Sequence, residues 1–423
     1  MIRSAACAAA VAVVAGFAAG CGGGNGVKAL SQKFCGPLEY RGPGKPDLLI
    51  VSDLPLRNPP PAREQVQGIQ YVLRQRHYRA GKYRIGYQSC DDSSASGGGF
   101  DPDRCSANAK TYAANERVVG VIGPYNSPCA ALQIPVTEAA PDGPLVMIGT
   151  ATTDPQLTTR VPGGDPGTPR KYYPKGVRNF VRLAAPDQYQ AAASAILAGQ
   201  LRLRRVFVLD DGEGFGVQMG RWFAGMAARR GAHVIGTASW NPKAADYSGL
   251  ARKVRGAEPD GVYLAGFAFL HGRNVLTALK KALSGKRVAF LAPDGFADEH
   301  EVGPVGEGMY VTWAGVPLDR AGPAGKSVLE QTGPDAPIFG YGALYGAAAA
   351  SVLLDAIEHS NGSRASVTRA VFAATTPPGV IGRFGFDRDG DPTVGAMTIV
   401  RMQKGRYRET TTLYPTVGLA KGV

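Results

Sequence analysis

The chain has 423 residues, 44% of them hydrophobic and 19% charged, a balance that excludes a disordered chain and supplies a sizeable core over two or three domains. The formal net charge is +13, yet the basic residues are scattered. The densest stretches, RQRHYRAGKYR (74–84) and RLRR (202–205), carry no aromatic-rich signature, so a solvated basic surface facing an anionic membrane or wall is favoured over nucleic-acid binding.

In chain order, Arg3 supplies a positive start, and AACAAAVAVVAGFAAG follows as an apolar run too short to span a bilayer comfortably. Small residues then precede Cys21, so residues 1–20 read as a secretory signal peptide. The FAAG–Cys21 junction resembles a bacterial lipobox, which implies lipidation of Cys21, with residues 21–46 as a leash. The mature chain is therefore expected outside the cytoplasm, anchored to the cell membrane. Beyond Cys7 and Cys21, Cys35, Cys90, Cys105 and Cys129 remain, an even number in an oxidising compartment. Two disulfides are expected and three pairings are open; proximity in sequence favours Cys90 with Cys105. No CxxC spacing supports a metal.

Strands and helices then alternate. Strands are expected at 47–54, 83–90, 118–123 and 144–150, with helices at 63–77, 105–115 and 129–140. In GVIGPYNSPCAALQI (120–134) a strand gives way to a helix opening with Ser127 at its cap and Pro128 in its first turn. The segment TTRVPGGDPGTPRKYYPKGVRNFVRLAAP, rich in Gly, Pro and Lys, separates this half from a second alternation. There helices are expected at 188–201, 216–231, 247–256 and 272–284, and strands at 205–211, 233–240, 261–267 and 287–293. GMYVTWAGVPL (308–318) reads as a second connection, an Ala-rich helix follows at 340–358, and the stretch ending MQKGRY reads as a β-hairpin finish. The pattern implies two α/β lobes of parallel sheet flanked by helices.

Catalytic and metal motifs are weak. LDDGEGFGVQMG misses a dinucleotide fingerprint by one residue and lacks the later acid. DRDGD (387–391) lacks the ligand series of a calcium loop and reads as a tight turn. FADEHE (296–301) reads as a solvated loop. No G-x-S-x-G, H-E-x-x-H or P-loop occurs. No catalytic set emerges, and neither an enzyme nor a cofactor or metal site is expected.

VIGPYNS, TATTDPQLT, NFVRLAAPDQYQ, VFVLDDGEGFG, GVYLAGF, FLAPDG and FGFDRDGDP, in that order over about Asp47–Tyr407, resemble the type I periplasmic binding proteins of branched-chain amino-acid ABC transporters. The resemblance implies two Rossmann-like lobes joined by three hinge crossovers, near Arg182, Thr312 and Gly382. One lobe would comprise 48–182 plus 313–382, the other 183–312 plus 383–412. It implies a ligand held between them, its carboxylate on Ser127 and the start of the helix behind it, the backbone at Ala151 and the hydroxyl of Thr153. Asp294, in the turn APDG, would take the amino group. Phe215 and Phe267 stand where the family often has Tyr, which removes two hydroxyls and leaves two apolar faces. Tyr125 and Tyr341 would line the rest. The resemblance also favours Cys105 with Cys129. The expected partners are a small amino acid or related carboxylate or amide and an ABC permease, with the chain a monomer. The alternatives are a sensor of the same fold, or a non-amino-acid apolar or aromatic solute; turnover of a bound ligand would mark an enzyme instead.

Overall fold

The structure is a computed structural model that describes residues 26–57, 60–95, 99–315, 321–332 and 342–420. Cys21 and Tyr341 lie outside the described residues.

The first alternation folds as expected. Strand β1 (Leu48–Leu54), helix α1 (Pro60–Gln75), β2 (Arg79–Ala80), β3 (Tyr83–Asp91), α2 (Pro102–Ala114), β4 (Val118–Ile122), α3 (Ser127–Glu138), β5 (Val146–Gly149) and β6 (Phe180–Arg182) make one lobe. Its sheet runs β2-β3-β1-β4-β5-β6, parallel except for the short β2–β3 pair. Successive residues of β1 point to opposite faces: Leu48 and Ile50 join one core, Leu49 and Val51 another. Both faces are covered, as a parallel sheet requires.

The second lobe contains α4 (Asp187–Gln200), β7 (Arg205–Asp210), α5 (Gly214–Ala228), β8 (His233–Ser239), α6 (Ser248–Gly256), β9 (Gly261–Ala265), α7 (Arg273–Ala282), β10 (Ala289–Ala292), the short α8 (Glu299–Val302) and β11 (Tyr310–Ala314). Helices α9 (Pro323–Thr332), α10 (Ala343–Glu358) and α11 (Arg364–Phe372) follow, with α10 packed along α1 of the first lobe. The chain ends with β12 (Met397–Gln403), β13 (Arg406–Leu413) and α12 (Val417–Ala420). The second sheet runs β13-β12-β11-β10-β9-β7-β8; β12 and β13 are antiparallel. Thus the chain leaves the first sheet after Arg182 and, after Ala314, returns to the first lobe through helices, α10 packing on α1. It enters the second sheet again at Met397.

Two stretches differ from expectation. Residues 310–314 are a buried strand rather than a connection, because YVTWA aligns parallel to β10 and fills the sheet. Phe180–Arg182, inside the expected linker, forms the edge strand of the first sheet. Cys35 bonds to Cys90 and Cys105 to Cys129. This overturns the Cys90–Cys105 pairing. Cys90 ends β3 beside the lead-in segment, with Cys35 bridging to it in the sheet, while Cys105 on α2 faces Cys129 on α3. Among the described residues no helix is long and apolar enough to cross a membrane.

Candidate ligand-binding cleft

The parallel strands of both sheets end at one edge, and the expected site residues sit in the turns that leave those ends. Tyr125 and Ser127 follow β4, Ala151 and Thr153 follow β5, Phe215 follows β7, Phe267 follows β9 and Asp294 follows β10. Open α/β sheets bind ligands at this edge. All seven are half-buried.

Ser127 does not cap α3. Asn126 is the N-cap, without a side-chain bond, and Ser127 is the first helical residue. Its Oγ accepts from the backbone N–H groups of Thr153, at 3.1 Å, and Asp154, at 3.2 Å. Two aligned N–H groups of the next loop are better donors than those of its own turn, where Pro128 has none. The hydroxyl therefore ties α3 to the Ala151–Asp154 turn and keeps only its own hydrogen to offer outward.

That turn is fixed from behind. The buried guanidinium of Arg182 donates to the carbonyls of Thr152 (3.1 Å) and Asp154 (2.8 Å), to Thr158 Oγ1 (2.5 Å) and to Asp391 Oδ1 (2.9 Å). In front, the Thr153 carbonyl accepts from the Asp187 N–H at 3.0 Å, linking the first lobe to the start of α4.

The second lobe presents an aromatic ladder. The rings of Phe215 and Phe267 are 4.9 Å apart, and Phe267 lies 4.9 Å from Phe269, which is exposed. Phe267 is seated by its surroundings. Its N–H donates to Asp211 Oδ2 at 3.1 Å. A Cβ at Gly295 would stand 2.9 Å from its ring and closer still to the Gly266 carbonyl, so only glycine lets the Asp294 turn approach this strand end.

Asp294 acts on both halves through its charge. Burial raises the Tyr125 phenol above its ordinary value, and the charges of Asp294, from the opposite lobe, and of Glu64 on α1 raise it further. Burial also lifts the Asp187 carboxyl to about 8, against the opposing hydrogen bond of Thr153, with Asp294 and Asp154 adding to the rise. Asp294 is thus within electrostatic reach of Tyr125 on one lobe and Asp187 and Tyr263 on the other. Nearby, Pro162 and Gly163 of the first lobe face Gly212, Gly214 and Arg221 of the second across a 360 Å³ cavity. The arrangement is a cleft with donors and a helix start on one wall, acids and aromatic rings on the other.

The description of the periplasmic binding protein family matches residues 66–406. The chain belongs to that family. Its members bind solutes rather than transform them. Comparison with curated proteins gives no match. Among solved structures, a leucine binding protein from Thermotoga maritima superimposes with a TM-score of 0.70 at 21% identity, covering 87% of this chain and 99% of that one. A solute binding protein from R. palustris in complex with benzoate gives 0.67 at 16%, covering 88% and 97%. A branched-chain amino-acid binding protein from Streptococcus pneumoniae in complex with isoleucine gives 0.68 at 14%, covering 87% and 99%. At these identities the likeness is one of fold: two lobes of mainly parallel sheet flanked by helices.

Sequence reasoning missed three residues of this periplasmic binding protein's cleft. Asp187 stands in the stretch NFVRLAAPDQYQ, one residue before the expected helix, with no role assigned to it. Glu64 lies within the expected helix over 63–77, again with no role. Arg182 read as a crossover position; its partner Asp391 is 209 residues away, and no local pattern announces such a pair.

Proposed function

We propose that this chain is the solute-binding subunit of an ABC importer, working outside the cytoplasm and held to the cell membrane by lipid on Cys21. It captures a small solute between its lobes and delivers it to the permease on closing, without turnover. The ligand is an amino acid or a related small molecule. Its acceptor-rich end rests on the Ser127 hydroxyl, the start of α3 and the Ala151–Thr153 turn; its ammonium faces Asp294; Tyr125, Phe215 and Phe267 enclose the body. The observation that supports this reading is the convergence of Tyr125, Ser127, Ala151 and Thr153 of one lobe and Phe215, Phe267 and Asp294 of the other on the strand ends where the fold takes ligands, with the charge of Asp294 acting on Tyr125.

The test is a thermal-shift screen of amino acids, amides and aromatic acids. A ligand at one hundred times its dissociation constant adds about 2.7 kcal/mol. Asp294→Asn is expected to weaken an amino-acid ligand by at least about tenfold, about 1.4 kcal/mol, since hydrogen bonds to charged groups are worth about 1.5–3 kcal/mol. Stabilisation only by compounds without a carboxylate would remove Ser127 and α3 from the role given to them. The aromatic ladder supports a second reading, an aromatic acid like the benzoate of the R. palustris protein; the acids of the cleft weigh against it, and the same screen separates the two.

A further inference from the structure

We propose that the solute carries a second cationic group, received by Glu64, so that the substrate class is a basic amino acid with an amino- or guanidino-alkyl side chain. The inference rests on the cleft reading above and adds its substrate.

Glu64 is the fifth residue of α1, which starts just beyond the C-terminal end of β1, so it stands at the ligand-binding edge of the first sheet. Its carboxylate abuts Gly342 at the start of α10. The next residue, Gln65, accepts from the Thr150 hydroxyl at 2.8 Å, one position before Ala151. Glu64 therefore belongs to the wall that carries the Ala151 turn and Tyr125. Asp294 reaches Tyr125 from the facing lobe and Glu64 reaches it from its own. Two acids, one from each lobe, thus act on one phenol through their charges.

The charge count points the same way. Glu64, Asp154 and Asp294 lie around the cleft, beside Asp187, which burial keeps largely protonated at neutral pH. Two nearby cations are largely engaged by other groups, although the charge of Arg63 still acts on Glu64 and Arg221 lines the inter-lobe cavity. Arg182 is bound to Asp391, Thr158 and two carbonyls, and Arg63 Nη1 donates to the carbonyls of Leu56 at 2.9 Å and Arg57 at 3.0 Å. Glu64 itself forms no ion pair among the described residues, although it is half-buried and burial disfavours its charge. A carboxylate on a fully solvated helix face would pay no such penalty. A zwitterion with an apolar side chain brings no net charge to this cleft. A basic amino acid brings one positive charge, with its ammonium at Asp294, its alkyl stem along the rings of Phe215 and Phe267, and its distal cation at Glu64.

Isothermal titration of the full-length protein with L-lysine, L-arginine and L-leucine tests this. One of the basic amino acids is expected to bind at least about tenfold tighter than leucine. Glu64→Gln is expected to bring that ratio close to one. Glu64→Asp, which keeps the charge, is expected to retain part of the preference, so a lost preference in the Gln variant cannot be put down to misfolding. Leucine binding as tightly as both basic amino acids overturns the inference and leaves the cleft reading standing. A basic preference that survives in Glu64→Gln also overturns it. If none of the three binds, the inference falls as well, and the wider screen decides the cleft reading separately.

Discussion

Two buried arginines show how single side chains hold this molecule. Arg364 satisfies its guanidinium on the carbonyls of five residues, Tyr112, Ala113, Asn115, Val118 and Pro141, so it seals the C-terminal end of α2 without an acid. Arg182 is different, because it is paired. With Asp391 it forms an ion pair whose side chains are 0% and 3% exposed, and its remaining donors fix the Thr152–Thr158 loop. Removing the cation leaves a buried carboxylate without its partner, which costs about 3–5 kcal/mol. Arg182→Met is expected to lower stability by that order, measured by urea unfolding, and to weaken ligand binding through the loosened turn. A loss below about 1 kcal/mol would mean that Thr158 and solvent can carry Asp391 alone. None of this network was legible beforehand. Residues 182 and 391 are adjacent only after the chain has built a whole second lobe between them, and Ser127 read as a cap because its true partners, at 153 and 154, lie one strand further on.

At the scale of elements, the contact between α1 and α10 depends on two glycines. A Cβ on Gly68 would collide with the Ala343 carbonyl, and one on Gly346 with the backbone of Gln65. The helices therefore meet backbone to backbone, which brings the first turns of α1, with Glu64, against the start of α10. A side chain at either position must push the helices apart, and overpacking of this kind costs about 1–3 kcal/mol. Gly68→Leu is expected to lower the melting temperature and to weaken ligand binding together, since the displaced helix carries part of the cleft wall. Unchanged melting would show that the helices separate freely. The helices themselves were readable because apolar residues recur at helical spacing, and the strands because short apolar runs end in Gly or Pro. β6 and β11 escaped because each is brief, flanked by turn residues, and becomes a strand only when a neighbour supplies its hydrogen bonds. The glycines at 68 and 346 could not be told from ordinary helix weak points until the two helices were seen to cross.

The whole molecule carries buried acids whose charge the fold opposes. Burial raises the carboxyl of Asp211 to about 6, against the N–H groups of Glu213 and Phe267, and that of Asp187 to about 8. Asp53 and Asp92, both buried near the Cys105–Cys129 disulfide, are raised in the same direction by burial. In the unfolded chain each of these groups returns to its ordinary value of 3.8. Between that value and the folded one, the folded chain holds protons that the unfolded chain has released, so stability falls as pH rises. Asp47, Asp165 and Asp246, whose carboxyls are held low chiefly by side-chain hydrogen bonds from Arg84, Lys171 and Ser248, act in the opposite sense, but only below the ordinary value. From about pH 4 to about pH 8 the raised acids therefore govern. The melting temperature of the ligand-free protein is expected to fall steadily from pH 5 to pH 8 at constant ionic strength. Asp187→Asn should flatten the upper part of that fall, because the amide never has to ionise in the buried site. A melting temperature that climbs over this range would mean that water reaches these carboxylates in the native state, and the cleft floor would then be wetter than its packing implies.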